Sequence, residues 1–219
     1  MIAYAAYTTN RRSLAAVRGA GWRVLLSPAT GLRNYDLPYA LDNGAWSAHI
    51  AGTPFREEPF RAAVGKIGAN AVFVVAPDIV GGGLESLAMT LKWMDWLLER
   101  VPVVLIAVQD GMRPGDVRHL LEPRVGVFVG GTTEFKEETM ATWASLAHSC
   151  GTICHVGRVN TKRRIFLCAA AGADSFDGSS VSRFAKTLPR LDHARKQIDL
   201  FGGNQCETPM RLKFEHSAL

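Results

Sequence analysis

The chain has 219 residues, 47% of them hydrophobic, and a formal net charge of +5. That content suits one domain with a sizeable core or two small ones. Lys, Arg, Asp or Glu interrupts every apolar run, which excludes a bilayer-spanning helix, and the start "MIAYAAYTTNRRS" lacks the pattern of a secretory signal. A soluble, cytoplasmic protein is expected.

In chain order, β-rich apolar runs alternate with helical patterns. A strand is predicted at "IAYAA" (2–6), followed by a helix in "NRRSLAAVRGAG" with Asn10 as its cap. Strands "WRVLLS" (22–27) and "PYALD" (38–42) come next, then a helix in "FREEPFRAAVGKIG". The strand "NAVFVVAPD" (70–78) leads to "LESLAMTLKWMDWLLER" (84–100), whose apolar residues fall at helical spacing. Strand "VPVVLIAVQ" (101–109) precedes a short helix in "PGDVRHLLEP". Strand "VGVFVGG" (125–131) precedes the helix "EFKEETMATWASLAHS", and "TICHVG" (152–157) precedes "NTKRRIFLCAAAG". The last strand is "ADSFDG" (173–178), and "LPRLDHARKQIDLF" closes the series.

Eight near-continuous apolar strands, most followed by helices, imply a parallel sheet covered on both faces. The expected fold is α/β, a single (β/α)₈ TIM-type barrel over residues 1–201, with 202–219 as a tail. An open doubly wound sheet is the alternative. No Gly-x-Gly-x-x-Gly follows the first strand, and "VGGGLES" (80–86) lacks the Lys-Ser/Thr of a P-loop, so neither nucleotide fingerprint is present.

Cys150, Cys154, Cys168 and Cys206 match no zinc spacing and read as reduced thiols, so no metal and no redox cofactor is expected. The basic residues gather in "GRVNTKRR" (157–164) and "SRFAKTLPRLDHARK" (182–196) on either side of the last strand. Two such clusters suggest a face for an anionic polymer.

Polar residues sit at the strand C-terminal ends: Asp42, Asp78, Gln109 with Asp110, the Gly130-Gly131 pair, and Asp177. Any one of these is ordinarily a cap or turn residue. In a closed barrel, however, the ends share one rim, where active sites form. Two carboxylates facing one bond suit substitution at a sugar carbon, one attacking and the other handling the leaving group's proton. A further Asp and a Gln can read a purine edge, a glycine pair admits a flat ligand, and Trp46 can stack on a base.

These segments resemble the tRNA-guanine transglycosylase superfamily, whose members exchange guanine for a 7-deazaguanine through a covalent sugar–enzyme intermediate. "GADSFDG" is similar to the family's Gly-x-Asp-x-Phe-Asp segment and implies that Asp177 is the nucleophile. "DNGAW" is similar to its Asp-Ser-Gly-Gly-aromatic segment and implies an acid/base role for Asp42. "APDIV" and "VQDG" imply base recognition by Asp78 and Gln109, with backbone amides at Gly130 and Gly131 assisting. Asp174 reads as structural, because an odd offset turns it away from Asp177. Arg158, Lys162, Arg163, Arg164 and Arg183 are the expected phosphate contacts.

Departures from the family pattern are equally plain. The three-Cys, one-His zinc site of the tRNA enzymes is missing, "DNGAW" lacks the second glycine, Ser47 stands where Gln is usual, and Asp110 replaces a glycine. A compact chain with basic flanks looks more like the DNA-modifying, phage and bacterial branch. The expected partners are DNA (or tRNA) and a free 7-deazaguanine base. An N-glycosyl hydrolase and a non-catalytic nucleic-acid-binding barrel remain as alternatives.

Overall fold

The structure is a computed structural model that describes residues 1–200. Residues 202–219, expected as a tail, lie outside the described residues, as does Cys206. Eight parallel strands form a closed barrel in sequence order: β1 (Ile2–Ala6), β2 (Arg23–Leu26), β3 (Tyr39–Leu41), β4 (Val74–Val75), β5 (Val104–Val108), β6 (Val125–Val129), β7 (Cys154–Val156) and β8 (Ser175–Gly178). Closure comes from β1 pairing with β8, with Ile2 opposite Ser175 and Tyr4 opposite Asp177. The open doubly wound alternative is therefore excluded.

Several strands are shorter than their apolar runs. In "NAVFVVAPD" the chain enters from a 3₁₀ turn at Gly68–Asn70, and only Val74–Val75 is strand. Single bonds from Val72 N to Tyr39 O and from Ala76 N to Leu105 O extend the pairing until Pro77, which has no N–H to give.

The helices are α1 (Arg11–Gly19), α2 (Ala45–Ile50), α3 (Glu57–Ile67), α4 (Gly83–Leu98), α5 (Pro114–Val117), α6 (Thr133–Ser149), α7 (Lys162–Ala170), α8 (Ser180–Arg183) and α9 (Leu188–Leu200). Asn10 caps α1 as expected, accepting from the Arg12 and Ser13 amides. Helix α4 buries Ser86, Leu87, Thr90, Trp93, Met94 and Leu97, a stripe at helical spacing. The short helices α2 and α8 do not emerge from the sequence pattern, because neither has enough turns to show a period. Among the described residues no helix is long and apolar enough to cross a membrane.

Two apolar clusters result. One lies between strands and helices and includes Trp22, Phe60, Leu97, Trp143 and Phe176. The other fills the barrel with Tyr4, Ala40, Phe73, Val75, Leu105 and Ala107, bordered by Phe128. On β8 the alternation sends Phe176 outward against Trp22, with ring centroids 5.6 Å apart. Ser175 and Asp177 face inward with the opposite parity. The barrel floor is filled, so a carboxylate at the last inward position of β8 meets the cavity above it.

Helix α9 locks the barrel's outer layer through one buried polar contact. Trp22 Nε1 donates to Asp192 Oδ1 at 2.9 Å, and Arg195 also donates to that oxygen at 2.7 Å. Asp192→Ala leaves the buried indole N–H without an acceptor. It should lower stability by roughly 1–3 kcal/mol in urea unfolding, without displacing the cavity residues.

Candidate active site

At the C-terminal end of the barrel lies a cavity of about 520 Å³. Its lining includes Asp42, Asp78, Gln109, Gly130, Gly131, Trp46, Arg158, Asp177 and Arg183. The sequence-predicted acids and base-edge residues thus share one pocket, of a size ordinary for a small-molecule ligand. Lys162, Arg163 and Arg164 do not line it.

Asp42 follows β3 and is partly buried, and its Oδ2 accepts from the Gly44 amide at 3.0 Å. Burial pushes its carboxyl up to about 7, and the Asp177 and Asp78 charges add to the rise against the Gly44 amide and Ser27 hydroxyl. Asp78, beyond β4, is raised to about 6, chiefly by burial, while the Asn43 hydrogen bond and the Arg158 charge oppose it. At neutral pH, Asp78 is mostly ionised while Asp42 sits near its midpoint.

Asp78 is held from two sides. Asn43 Nδ2 donates to its Oδ1 at 2.7 Å and also to Ala76 O at 2.7 Å. Gln109 Nε2 donates to its other oxygen, Oδ2, and to Ser86 Oγ at 3.2 Å. Gln109 Oε1 accepts from the Gly81 amide at 2.5 Å. Both amide hydrogens of Gln109 are therefore committed inside the protein. This corrects the expectation that Gln109 reads a base edge: it positions Asp78 instead.

For the glycine pair, the expectation is corrected at Gly130. The Gly130 amide donates to Val108 O at 2.9 Å as part of the β5–β6 ladder, so it is not offered to a ligand. Gly131 has φ 74°, and a Cβ there would lie 2.4 Å from Asp110 Oδ2. Its glycine is thus required by the local backbone and by Asp110. Asp110 accepts from the Thr132 amide at 2.8 Å and hydroxyl at 2.5 Å. Those donors outweigh its burial and hold its carboxyl below the usual range.

Asp177 is 7% exposed. Its Oδ2 lies 3.2 Å from His155 Nε2 and 3.2 Å from the Arg158 amide. Arg158 adopts φ 60°, an uncommon backbone for a non-glycine residue, which supports the turn carrying that amide. Lys136 braces the same turn from α6: its buried ammonium donates to Gly157 O at 2.9 Å, and burial pulls its pKa down to about 8. A Cβ on Gly157 would lie 2.6 Å from the Phe128 ring, so only glycine lets the turn pass.

The Arg158 guanidinium lies 3.9 Å from the Trp46 ring centroid and donates to Gly131 O. Trp46 therefore already carries a cation, and a base stacking on that face displaces Arg158. Arg158 itself lines the cavity. On α7, Arg163 donates to both Glu137 oxygens at 2.8 and 2.7 Å, and Arg164 reaches Glu137 at 3.2 Å. Lys162 sits 5.6 Å from the Phe166 ring centroid. Of the expected phosphate contacts, Arg158 and Arg183 line the cavity, whereas Lys162, Arg163 and Arg164 lie outside its lining and Glu137 partly neutralises the last two.

Asp174 has the structural role expected of it, with Oδ2 accepting from the Cys154 amide at 2.8 Å and meeting His148 Nε2 at 3.0 Å. Cys150, Cys154 and Cys168 are free. Sequence reasoning missed Asn43, the immediate neighbour of Asp42. It also missed His155, a lone polar residue at inward parity in the apolar β7. No protein-family model matches the chain, and no curated protein matches it either.

The raised Asp42 carboxyl has a consequence for stability. An unfolded Asp titrates near ~4, whereas folded Asp42 holds its proton to about 7. The native state therefore binds more protons across that window, and stability falls as pH rises through it. Asp78 adds a similar loss that ends near pH 6. Asp42→Asn should flatten the decline above pH 6 and be more stable than wild type at pH 8, on the order of 2 kcal/mol by urea unfolding.

Proposed function

We propose that the chain is a base-exchange transglycosylase that replaces guanine in nucleic acid with a 7-deazaguanine. The observation that carries this reading is the pairing of Asp42 with Asp177 across one cavity, with Asp42 near half-protonation at pH 7. A carboxyl that keeps its proton to about neutral pH, sharing a cavity with a second carboxyl, is the arrangement a two-step substitution needs.

In the first step a carboxylate oxygen of Asp177 forms a bond to the anomeric carbon as the bond to guanine N9 breaks. The departing base takes the Asp42 proton. In the second step the incoming base loses its N9 proton to Asp42 and attacks the same carbon, and the bond to Asp177 breaks. Asp78, fixed by Asn43 and Gln109 and largely ionised, accepts hydrogen bonds from the N–H edge of either base. No step requires a metal or a redox change.

A base inside a duplex cannot reach a cavity at the end of a barrel, so the substrate is a flipped or single-stranded nucleotide. DNA is the favoured polymer, as the resemblance to the DNA-modifying branch implies, and tRNA is the second candidate. Arg183, exposed and at the cavity wall, is the candidate contact for the neighbouring phosphate.

The experiment is exchange of labelled guanine into guanine-containing DNA and tRNA side by side, with capture of the covalent adduct under denaturing conditions. Asp177→Asn should remove both adduct and exchange, a loss of about 10³-fold or more, while circular dichroism stays native. Base release without return of label identifies a hydrolase instead. Arg183→Ala should weaken DNA binding and reduce its salt slope by about 1, whereas Arg163→Ala, tied to Glu137, should change either far less.

A further inference from the structure

We infer that His155 is a positioning residue that assigns the two oxygens of Asp177 to different tasks, leaving Oδ1 as the attacking atom. The inference rests on the base-exchange reading and adds the device that drives its second step. His155 is completely buried on β7, with Nε2 3.2 Å from Asp177 Oδ2 and Nδ1 2.8 Å from Ser175 Oγ. Phe128 lies nearly parallel to the imidazole, with centroids 5.1 Å apart at 19°, and Phe73 and Tyr4 close its sides at 5.0 and 5.6 Å. The ring has no room to turn away.

The chain of donors has one consistent arrangement. A carboxylate that is to attack carbon only accepts hydrogen bonds, so in that role of Asp177 Nε2 carries the hydrogen and Nδ1 accepts from the Ser175 hydroxyl. The Arg158 amide donates to the same Oδ2 at 3.2 Å. No described side chain or amide donates to Oδ1. The buried, unpartnered side-chain atoms among the described residues are Thr152 Oγ1 and Ser180 Oγ, so Oδ1 is open to the cavity rather than sealed.

This asymmetry acts on the two steps in opposite senses. In the first, an Oδ1 lone pair forms the bond to the anomeric carbon, the electron pair of the breaking C–N bond leaves with guanine, and Asp42 supplies the proton. Oδ2 becomes the carbonyl oxygen of the glycosyl ester. In the second, the C–Oδ1 bond breaks as the incoming base bonds to carbon, and its electron pair returns to the carboxylate. Negative charge then grows on Oδ2, where two fixed donors wait for it. Donors that favour carboxylate over ester speed release of the sugar more than they help its capture.

The test measures both steps in the same protein. Wild type, His155→Phe and His155→Gln are mixed with guanine-containing single-stranded DNA and quenched at successive times. Adduct is read on denaturing gels and exchange from labelled guanine. His155→Phe fills the same space but donates nothing, so exchange should slow about tenfold while the steady-state fraction of adduct rises. His155→Gln, whose amide can donate to Oδ2, should recover part of both. Ser175→Ala, which removes only the hydroxyl that fixes the tautomer, should shift both readouts in the same direction by less, and it serves if His155→Phe does not fold. Unchanged exchange in a folded His155→Phe overturns the inference, as does a proportional fall of adduct and exchange. A wild type that forms neither adduct nor exchanged product overturns the base-exchange reading itself, and this inference with it.

Discussion

Closing a parallel barrel forces the ends of its strands onto one small rim, and here that constraint crowds carboxylates into a partly dry cavity. Asp42, Asp78 and Asp177 arrive from β3, β4 and β8, far apart in sequence, and line the same space. Like charges at low dielectric cannot all ionise without cost. The protein relieves the conflict unevenly. Asp78 takes hydrogen bonds from Asn43 and Gln109 and feels the Arg158 charge, whereas Asp42 keeps its proton to about pH 7. A difference in protonation between neighbouring acids follows directly from where closure puts them.

The polar groups around the cavity divide into those spent on geometry and those left for chemistry. Gln109 and Asn43 are spent, and so is the Gly130 amide. Lys136 holds the Gly157 carbonyl and thereby the turn that aims the Arg158 amide at Asp177. Arg158 links this turn to Trp46 on α2 and to the Gly131 carbonyl, so one side chain ties three rim segments together. Among the groups open at the cavity are one oxygen of Asp177, the Asp42 carboxyl and the Asp78 lone pairs.

Much of this was legible in the sequence. Alternating apolar strands and helical patterns indicate the barrel, and the acids at strand ends become neighbours once it closes. Asp174 and Asp177 separate by parity alone. Three things were not legible. Periodicity needs several turns, so α2 and α8 leave no trace. Hydrogen-bond allocation depends on tertiary partners, so Gln109 looked free although Gly81, Ser86 and Asp78 already use it. Charge compensation is likewise tertiary: Glu137 on α6 quenches part of a basic run that lies on α7. His155 carried a readable signal, a single polar residue at inward parity, but its meaning required Ser175 and Asp177 to be placed beside it.

The central claim is that Asp42 and Asp177 share one cavity and that burial, with the Asp177 charge beside it, keeps the Asp42 proton to about pH 7. Carbon-13 carboxyl NMR titration of Asp42, in the wild type and in Asp177→Asn, tests it most directly. The account predicts a midpoint near 7 in the wild type that falls when the Asp177 charge is removed. A midpoint near ~4 in both proteins, the value of an unperturbed aspartate, would contradict it.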